Sequence, residues 1–237
     1  YGEFVQLGDV MLVRGEGPIS AGLQAVQQVI HPGTRSSHVL FCLSDGCFIH
    51  ATGDGGVHLK FVLDELNEVK ENWRVIRLRH LPASKRDALS LAGFYFLDQA
   101  YNHKFLISGS PHKAFCSELV GKIFQRANIP IMGNKLPHRL TPAHFDREAD
   151  KQIMWEDVTD ECKAYLSSHE HLEDEHRLVF NTLERSLHRN KFLAERKAEV
   201  WNLLEAFDPE MYSKIKPVLD EASQKARVKF WNQEDRN

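Results

Sequence analysis

Cys116 opens an amphipathic segment and is the residue best placed to act as a nucleophile. The apolar residues after it recur at three- and four-residue intervals, the spacing of one helix face: Leu119, Val120, Ile123, Phe124 and Ala127. The first turn of a helix carries unpaired N–H groups and the positive end of the helix dipole. We therefore expect the pKa of the Cys116 thiol to fall below its free value of about 8.5. For a cysteine considered alone, a buried structural role is the simpler interpretation.

A cysteine nucleophile needs a base, and the base needs a group that orients it. Among the 13 histidines, His38 and His50 lie on two adjacent apolar segments with a turn signal near Asp45, which predicts a β-hairpin. The two rings then lie close together across the strand pair. We expect His38 to take the proton of Cys116 and His50 to fix the His38 ring. The alternative is that each histidine is a polar residue at a strand end.

Metal and cofactor sites are not indicated by the spacing of the candidate ligands. No cysteine pair has the C-x-x-C spacing, and His38 and His50 lack acidic partners at positions suited to zinc. The glycine-rich residues 52–56 do not match a phosphate-binding loop. We therefore predict chemistry that needs no metal and no cofactor.

The predicted elements that must position Cys116 and the histidines are a mixture of strands and helices. Strands are predicted over residues 10–13 and 73–79, and helices over residues 19–30 and 84–97. A polar loop over residues 101–113 leads into the Cys116 helix. This order predicts an α+β fold.

The sequence changes character after about residue 150. Residues 156–235 contain no glycine and are rich in charged residues and leucine, with apolar residues at helical spacing. We predict two domains, a catalytic domain over residues 1–152 and a helical tail domain of three or four helices over residues 153–237. A tail that stabilises the fold is the simpler interpretation, and a tail that binds a partner protein is the alternative.

Bulk composition excludes several classes of protein. The formal net charge of the 237 residues is -3, which does not favour nucleic acid as a partner. No apolar run approaches the ~18 residues of a transmembrane segment, and the first residues do not resemble a signal peptide. Four scattered cysteines predict reduced thiols. We expect a cytoplasmic protein, or an effector exported without a cleaved signal; Tyr1 in place of Met leaves a removed leader open.

Several short motifs together resemble one protein family. Ser37-His38-Val39, the strand end Phe48-Ile49-His50-Ala51 and the segment Phe115-Cys116-Ser117-Glu118-Leu119-Val120 follow one another in this order. Weaker matches are Gly8-Asp9-Val10, Tyr101-Asn102-His103-Lys104-Phe105 and Leu140-Thr141-Pro142. This set resembles the circularly permuted branch of the NlpC-type papain-like cysteine hydrolases, in which the histidine precedes the cysteine. That branch includes YiiX-like proteins and lecithin:retinol acyltransferase-like enzymes, and the resemblance covers roughly residues 7–150.

The resemblance implies a permuted papain-like domain with an antiparallel sheet packed against helices. It implies Cys116 as nucleophile, His38 as base and His50 as the third polar residue, with the backbone N–H of Cys116 in the oxyanion hole. Tyr101 and Ser117 are then expected on the substrate-binding and oxyanion side, although Tyr101 is equally well explained as a packing residue. Asn102 departs from the Asp that the family pattern has at this position.

Three functions fit these features. The leading hypothesis is a bacterial cysteine hydrolase that cleaves an amide in a peptide or isopeptide substrate. The second is a lipid acyltransferase or phospholipase, which is less favoured because no apolar anchor is visible. The third is a non-enzymatic binding module, against which the intact set of Cys116, His38 and His50 argues.

Overall fold

A six-stranded antiparallel sheet forms the centre of the structure, with the strands in the order β4-β3-β2-β1-β5-β8. Its strands are β1 (Val10–Val13), β2 (His38–Ser44), β3 (Cys47–Thr52), β4 (Gly56–Phe61), β5 (Trp73–Leu78) and β8 (Trp155–Asp157). A separate parallel pair joins β6 (Ala100–Tyr101) to β7 (Lys113–Ala114). The predicted α+β class with an antiparallel sheet is confirmed.

The computed structural model describes residues 5–14, 27–44, 46–69, 73–104, 106–169, 173–224 and 228–234. Most of the helix predicted over residues 19–30 lies outside these ranges, as do the predicted turn residue Asp45 and Phe105 of the Tyr101 motif.

The helices of the described residues surround the sheet and extend beyond it. The α-helices are α1 (Val62–Val69), α2 (Arg86–Tyr95), α3 (Cys116–Arg126), α4 (Pro142–Lys151), α5 (Thr159–Ser168), α6 (Glu173–Phe207), α7 (Pro209–Gln224) and α8 (Trp231–Glu234). Short 3-10 turns cover Ala83–Lys85, Met132–Asn134 and Pro137–Arg139.

Burial along the strands follows from their position in the sheet. The inner strands β2 and β3 are buried along nearly their whole length. The outer strand β4 alternates, with Val57, Leu59 and Phe61 buried and His58 and Lys60 half-buried on the other face. This alternation is typical of a strand with only one face in the core.

Helix α3 packs against β2 and β3 and is the helix that the sequence pattern predicts. Its predicted apolar residues Leu119, Val120, Ile123 and Phe124 are fully buried. Gly121 is required by close packing, because a Cβ atom there would lie 3.0 Å from the Cα of Pro137. The helix is therefore clamped between the sheet and the loop that precedes α4.

The tail residues are helical, as predicted, and they contact the sheet domain. Phe180 of α6 is buried against Phe61 of β4, with ring centroids 5.4 Å apart. Arg177 lies over the same Phe61 ring at 4.7 Å and forms an ion pair with Asp64. Trp231 donates a hydrogen bond from its indole nitrogen to the carbonyl of Leu97. Helix α6 thus covers the outer strand β4.

The two-domain boundary after residue 152 stays a prediction. Strand β8 lies directly beyond that boundary and pairs with β5 in the same sheet. Other tail residues on α6 and α7 leave large apolar side chains exposed, including Phe192, Leu203, Phe207 and Val218. Among the helices of the described ranges, none combines the length and the apolar character that crossing a bilayer needs.

The loop before β2 is anchored by one buried carboxylate. Asp146 of α4 is fully buried and accepts hydrogen bonds at 2.9 Å from the backbone N–H groups of Arg35 and Ser36 and from the Ser36 hydroxyl. Because His38 follows two residues later, Asp146 sets the position at which β2 begins.

We expect Asp146→Ala to lower the free energy of unfolding by about 2–4 kcal/mol, because it leaves two buried donors of Ser36 and the part-buried N–H of Arg35 without this acceptor. Urea unfolding at pH 7, followed by circular dichroism, measures this change. The control is Lys151→Ala on the same helix, which removes a half-exposed side chain. Equal midpoints for the two variants would contradict the anchoring role of Asp146.

Candidate active site

Cys116 is the first residue of α3, and Phe115 precedes it in extended conformation as the N-cap. The residue is buried, with 4% of its surface exposed. Hydrogen bonds from the backbone of Val39, from Ser117 and from the backbone of Cys116 itself favour the thiolate. Val39 directly follows His38, so this interaction places Cys116 next to the start of β2.

The expected low pKa of Cys116 is wrong for the protein without substrate. Burial raises the pKa of the thiol to about 11, although the N–H groups of Val39, Ser117 and Cys116 lower it. The helix N-terminus is present as predicted, but removal of the thiolate from water outweighs its effect. The resting nucleophile is therefore a neutral thiol.

His38 and His50 lie close together, which confirms the predicted geometry of the hairpin. His38 Nε2 is 3.1 Å from His50 Nδ1. Burial, with a smaller electrostatic contribution from His58, lowers the pKa of His38 to about 4. Burial likewise lowers the pKa of His50 to about 2, with smaller electrostatic contributions from His38, His58 and Lys60. Both rings are neutral at physiological pH, and their catalytic roles stay predictions.

The sequence pattern did not single out His58, which extends this pair into a row of three rings. His58 lies directly opposite His50 in the β3–β4 pairing, and its Nε2 is 2.8 Å from His50 Nε2. Its Nδ1 is 3.1 Å from the carbonyl oxygen of Gly56. The sequence signal for this pairing is the Gly53-Asp54-Gly55 segment, which predicts a second hairpin with His50 and His58 on its two strands.

Tyr101 lies beside the nucleophile because β6 pairs with β7 just before α3. In this register Tyr101 is opposite Ala114, two residues before Cys116. Burial raises the pKa of the Tyr101 hydroxyl, and negative charge on Cys116 and Glu118 raises it further. The neutral phenol is half-buried and keeps a proton that it can donate.

The Ser117 side chain is fully buried, and its hydroxyl donates a hydrogen bond to the carbonyl of Leu140 at 2.8 Å. This hydrogen bond holds the loop before α4 against α3. The expected role of Ser117 on the substrate-binding and oxyanion side stays a prediction.

Glu118 connects α3 to the loop that carries Tyr101. Its carboxylate is fully buried and accepts hydrogen bonds from the Asn102 amide at 2.8 Å and from the backbone N–H of Phe115 at 3.4 Å. The ammonium of Lys122 lies 3.3 Å from its other oxygen. Asn102 also donates to the carbonyl of Ser108. The departure to Asn at position 102 thus supplies an amide donor to a buried carboxylate.

Metal ligation is not built into these residues. Across the described ranges, no three His, Cys, Asp or Glu side chains are arranged to hold a metal ion. The nitrogens of His38, His50 and His58 are bonded to one another in a row and do not converge on one point.

Comparisons with known proteins identify the family. A family model described as permuted papain-like amidase enzyme, YaeF/YiiX, C92 family, matches residues 11–174. This match confirms the resemblance to the permuted papain-like branch that the motifs indicate. A solved structure of metalloprotein yiiX from Escherichia coli O157:H7 is similar at 22% sequence identity, with a TM-score of 0.41. The alignment covers 52% of this chain and 66% of that chain, and no curated protein matches.

We expect Asn102→Asp to lower the free energy of unfolding at pH 7 by about 2–4 kcal/mol, because it places a second carboxylate against buried Glu118. Urea unfolding between pH 5 and pH 8 measures the loss, which shrinks at lower pH as one carboxyl group takes up a proton.

The matched variant for this test is Asn102→Asp combined with Glu118→Gln, which restores an amide–carboxylate pair. Its loss of stability is expected to be smaller than the sum of the two single losses. Additive losses would show that Asn102 and Glu118 do not interact.

We expect the rate of Cys116 alkylation by iodoacetamide to rise about tenfold per pH unit between pH 7 and pH 9.5, because the thiolate fraction rises in this way below a raised pKa. Mass spectrometry of the tryptic peptide 114–122 follows this cysteine alone. A rate that stays flat between pH 5 and pH 8 would indicate a preformed thiolate–imidazolium pair and contradict the neutral thiol.

Proposed function

Because this chain belongs to the permuted papain-like amidases of the YaeF/YiiX, C92 family, we propose that it cleaves an amide or isopeptide bond through an acyl-enzyme on Cys116. Family membership supports a cysteine hydrolase-type function in broad terms. The amide substrate and the roles of the individual residues are the proposal.

One observation carries this proposal. The backbone of Val39 forms a hydrogen bond that stabilises the Cys116 thiolate, and the adjacent residue His38 is held by His50 at 3.1 Å. These contacts support a site in which a thiol, an imidazole base and a group that orients the imidazole act together. Nucleophilic attack on a carbonyl requires such a set.

In the first step, the Cys116 sulfur bonds to the carbonyl carbon while its proton passes to His38. The oxyanion that forms lies against the N–H groups of the first turn of α3, where the helix dipole favours negative charge. Because both resting groups are neutral, proton transfer accompanies the attack instead of preceding it.

In the second step, the amide C–N bond breaks and His38 gives its proton to the leaving amine. Water then attacks the thioester, with His38 as the base, and releases the acid and the free thiol. The half-buried phenol of Tyr101 is suited to donate a hydrogen bond to the substrate next to Cys116. Every step uses residues of this chain.

We expect Cys116→Ala to reduce the rate of amide cleavage by about 10³-fold or more, since loss of a nucleophile leaves only binding and oxyanion stabilisation. Product formation is measured with peptidoglycan fragments, an isopeptide-linked conjugate and phospholipid vesicles. Intact-mass spectrometry of the wild type after rapid acid quench measures the acyl adduct directly.

Cys162→Ala serves as the control, because it removes another buried thiol on α5. Full activity in Cys116→Ala would contradict the proposal. Turnover of phospholipid alone would favour the lipid acyltransferase or phospholipase alternative, and no turnover of any substrate would favour a binding module.

A further inference from the structure

We propose that His58 is a positioning residue that fixes the tautomer of His38 through His50. The three rings form a row that ends at a backbone carbonyl: His38, His50, His58 and the oxygen of Gly56. The inference deepens the proposed function and rests on it for the role of His38 as the base.

The direction of the hydrogen bonds follows from the end of the row. A carbonyl oxygen only accepts, so the contact of 3.1 Å between His58 Nδ1 and the Gly56 oxygen requires a proton on Nδ1. We take His58 to be a neutral imidazole, in which the other nitrogen is an acceptor. His58 Nε2 therefore accepts a hydrogen bond from His50.

The same reasoning applies to the next two rings. His50 Nε2 lies 2.8 Å from the His58 acceptor, so it carries the proton and leaves His50 Nδ1 as an acceptor. His38 Nε2 lies 3.1 Å from that acceptor and must donate to it. His38 Nδ1 is then without a proton, and the proposed function assigns it as the nitrogen that receives the proton of Cys116.

The hydrogen bonds of the row run in one direction because His58, the last ring, contacts the Gly56 carbonyl oxygen, which can only accept. His38 and His50 alone can exchange donor and acceptor roles, which would place a proton on His38 Nδ1 and remove the base. Gly56 belongs to the same strand as His58, and the backbone there is fixed by the pairing of Thr52 with Gly56. The backbone of β4 thus determines which nitrogen of His38 is free.

The test uses two measurements that need no substrate. The ¹⁵N spectrum of histidine-labelled protein at pH 7.5 reports which nitrogen of each ring is protonated, and alkylation of Cys116 by iodoacetamide reports its access to a base. In the wild type, we expect protons on His38 Nε2, His50 Nε2 and His58 Nδ1.

We expect His58→Leu to shift the proton of His38 partly to Nδ1 and to slow alkylation of Cys116 tenfold or more. His58→Gln retains an oxygen acceptor near the position of Nε2, so its alkylation rate is expected within threefold of the wild type. The asparagine side chain in His58→Asn is too short to reach His50, so this variant is expected to behave like His58→Leu. It keeps the test available if the leucine variant does not fold. His80→Leu is the control for loss of an exposed histidine.

A proton on His38 Nδ1 in the wild type would overturn the inference, and so would unchanged His38 signals and alkylation in His58→Leu and His58→Asn. Equal losses in the Gln and Leu variants would also overturn it, since they would indicate a packing role for the ring. The proposed function is tested separately. If the spectra are as expected but no amide is cleaved, the tautomer assignment stands and the proposed amidase function is contradicted.

Discussion

The register of the β3–β4 pairing sets the relation between the residues of the site. It places His50 opposite His58, and the β2–β3 hairpin brings His38 to the other side of His50. A shift of either pairing by one residue would turn these side chains to the opposite face of the sheet. The buried faces of the strands exclude such a shift, because β4 would then expose Val57, Leu59 and Phe61. The apolar core therefore also specifies the polar site.

The N-terminus of α3 is held by polar groups that the same core surrounds. Glu118 bonds to Asn102 and Lys122, and Ser117 bonds to the carbonyl of Leu140. Buried polar groups are costly unless they are paired, so these contacts restrict the helix to one position relative to the Tyr101 loop. Asp146 does the same for the start of β2. The start of α3 and the start of β2 are thus fixed by separate buried carboxylates.

Local patterns in the sequence were sufficient to predict the helix that bears Cys116 and the hairpin that bears His38 and His50. The helical spacing of Leu119 to Phe124 and the hairpin pattern depend only on neighbours in the chain, and the predicted helix and strand pairing are both present in the structure. The pKa of Cys116 was predicted in the wrong direction because the helix dipole is a local property, whereas burial depends on residues far away in the chain. His58 was missed for a related reason, since its importance comes from the strand opposite it and from the Gly56 carbonyl.

The burial of Cys116 has a consequence for the lifetime of the protein in an oxidising environment. Peroxide attacks thiolates, and its first product, the sulfenic acid, leads on to forms that cannot be reduced again. A cysteine that stays a neutral thiol, with 4% of its surface exposed, reacts slowly with such oxidants while no substrate is bound. The burial that keeps the Cys116 thiol neutral therefore also protects it from oxidative damage.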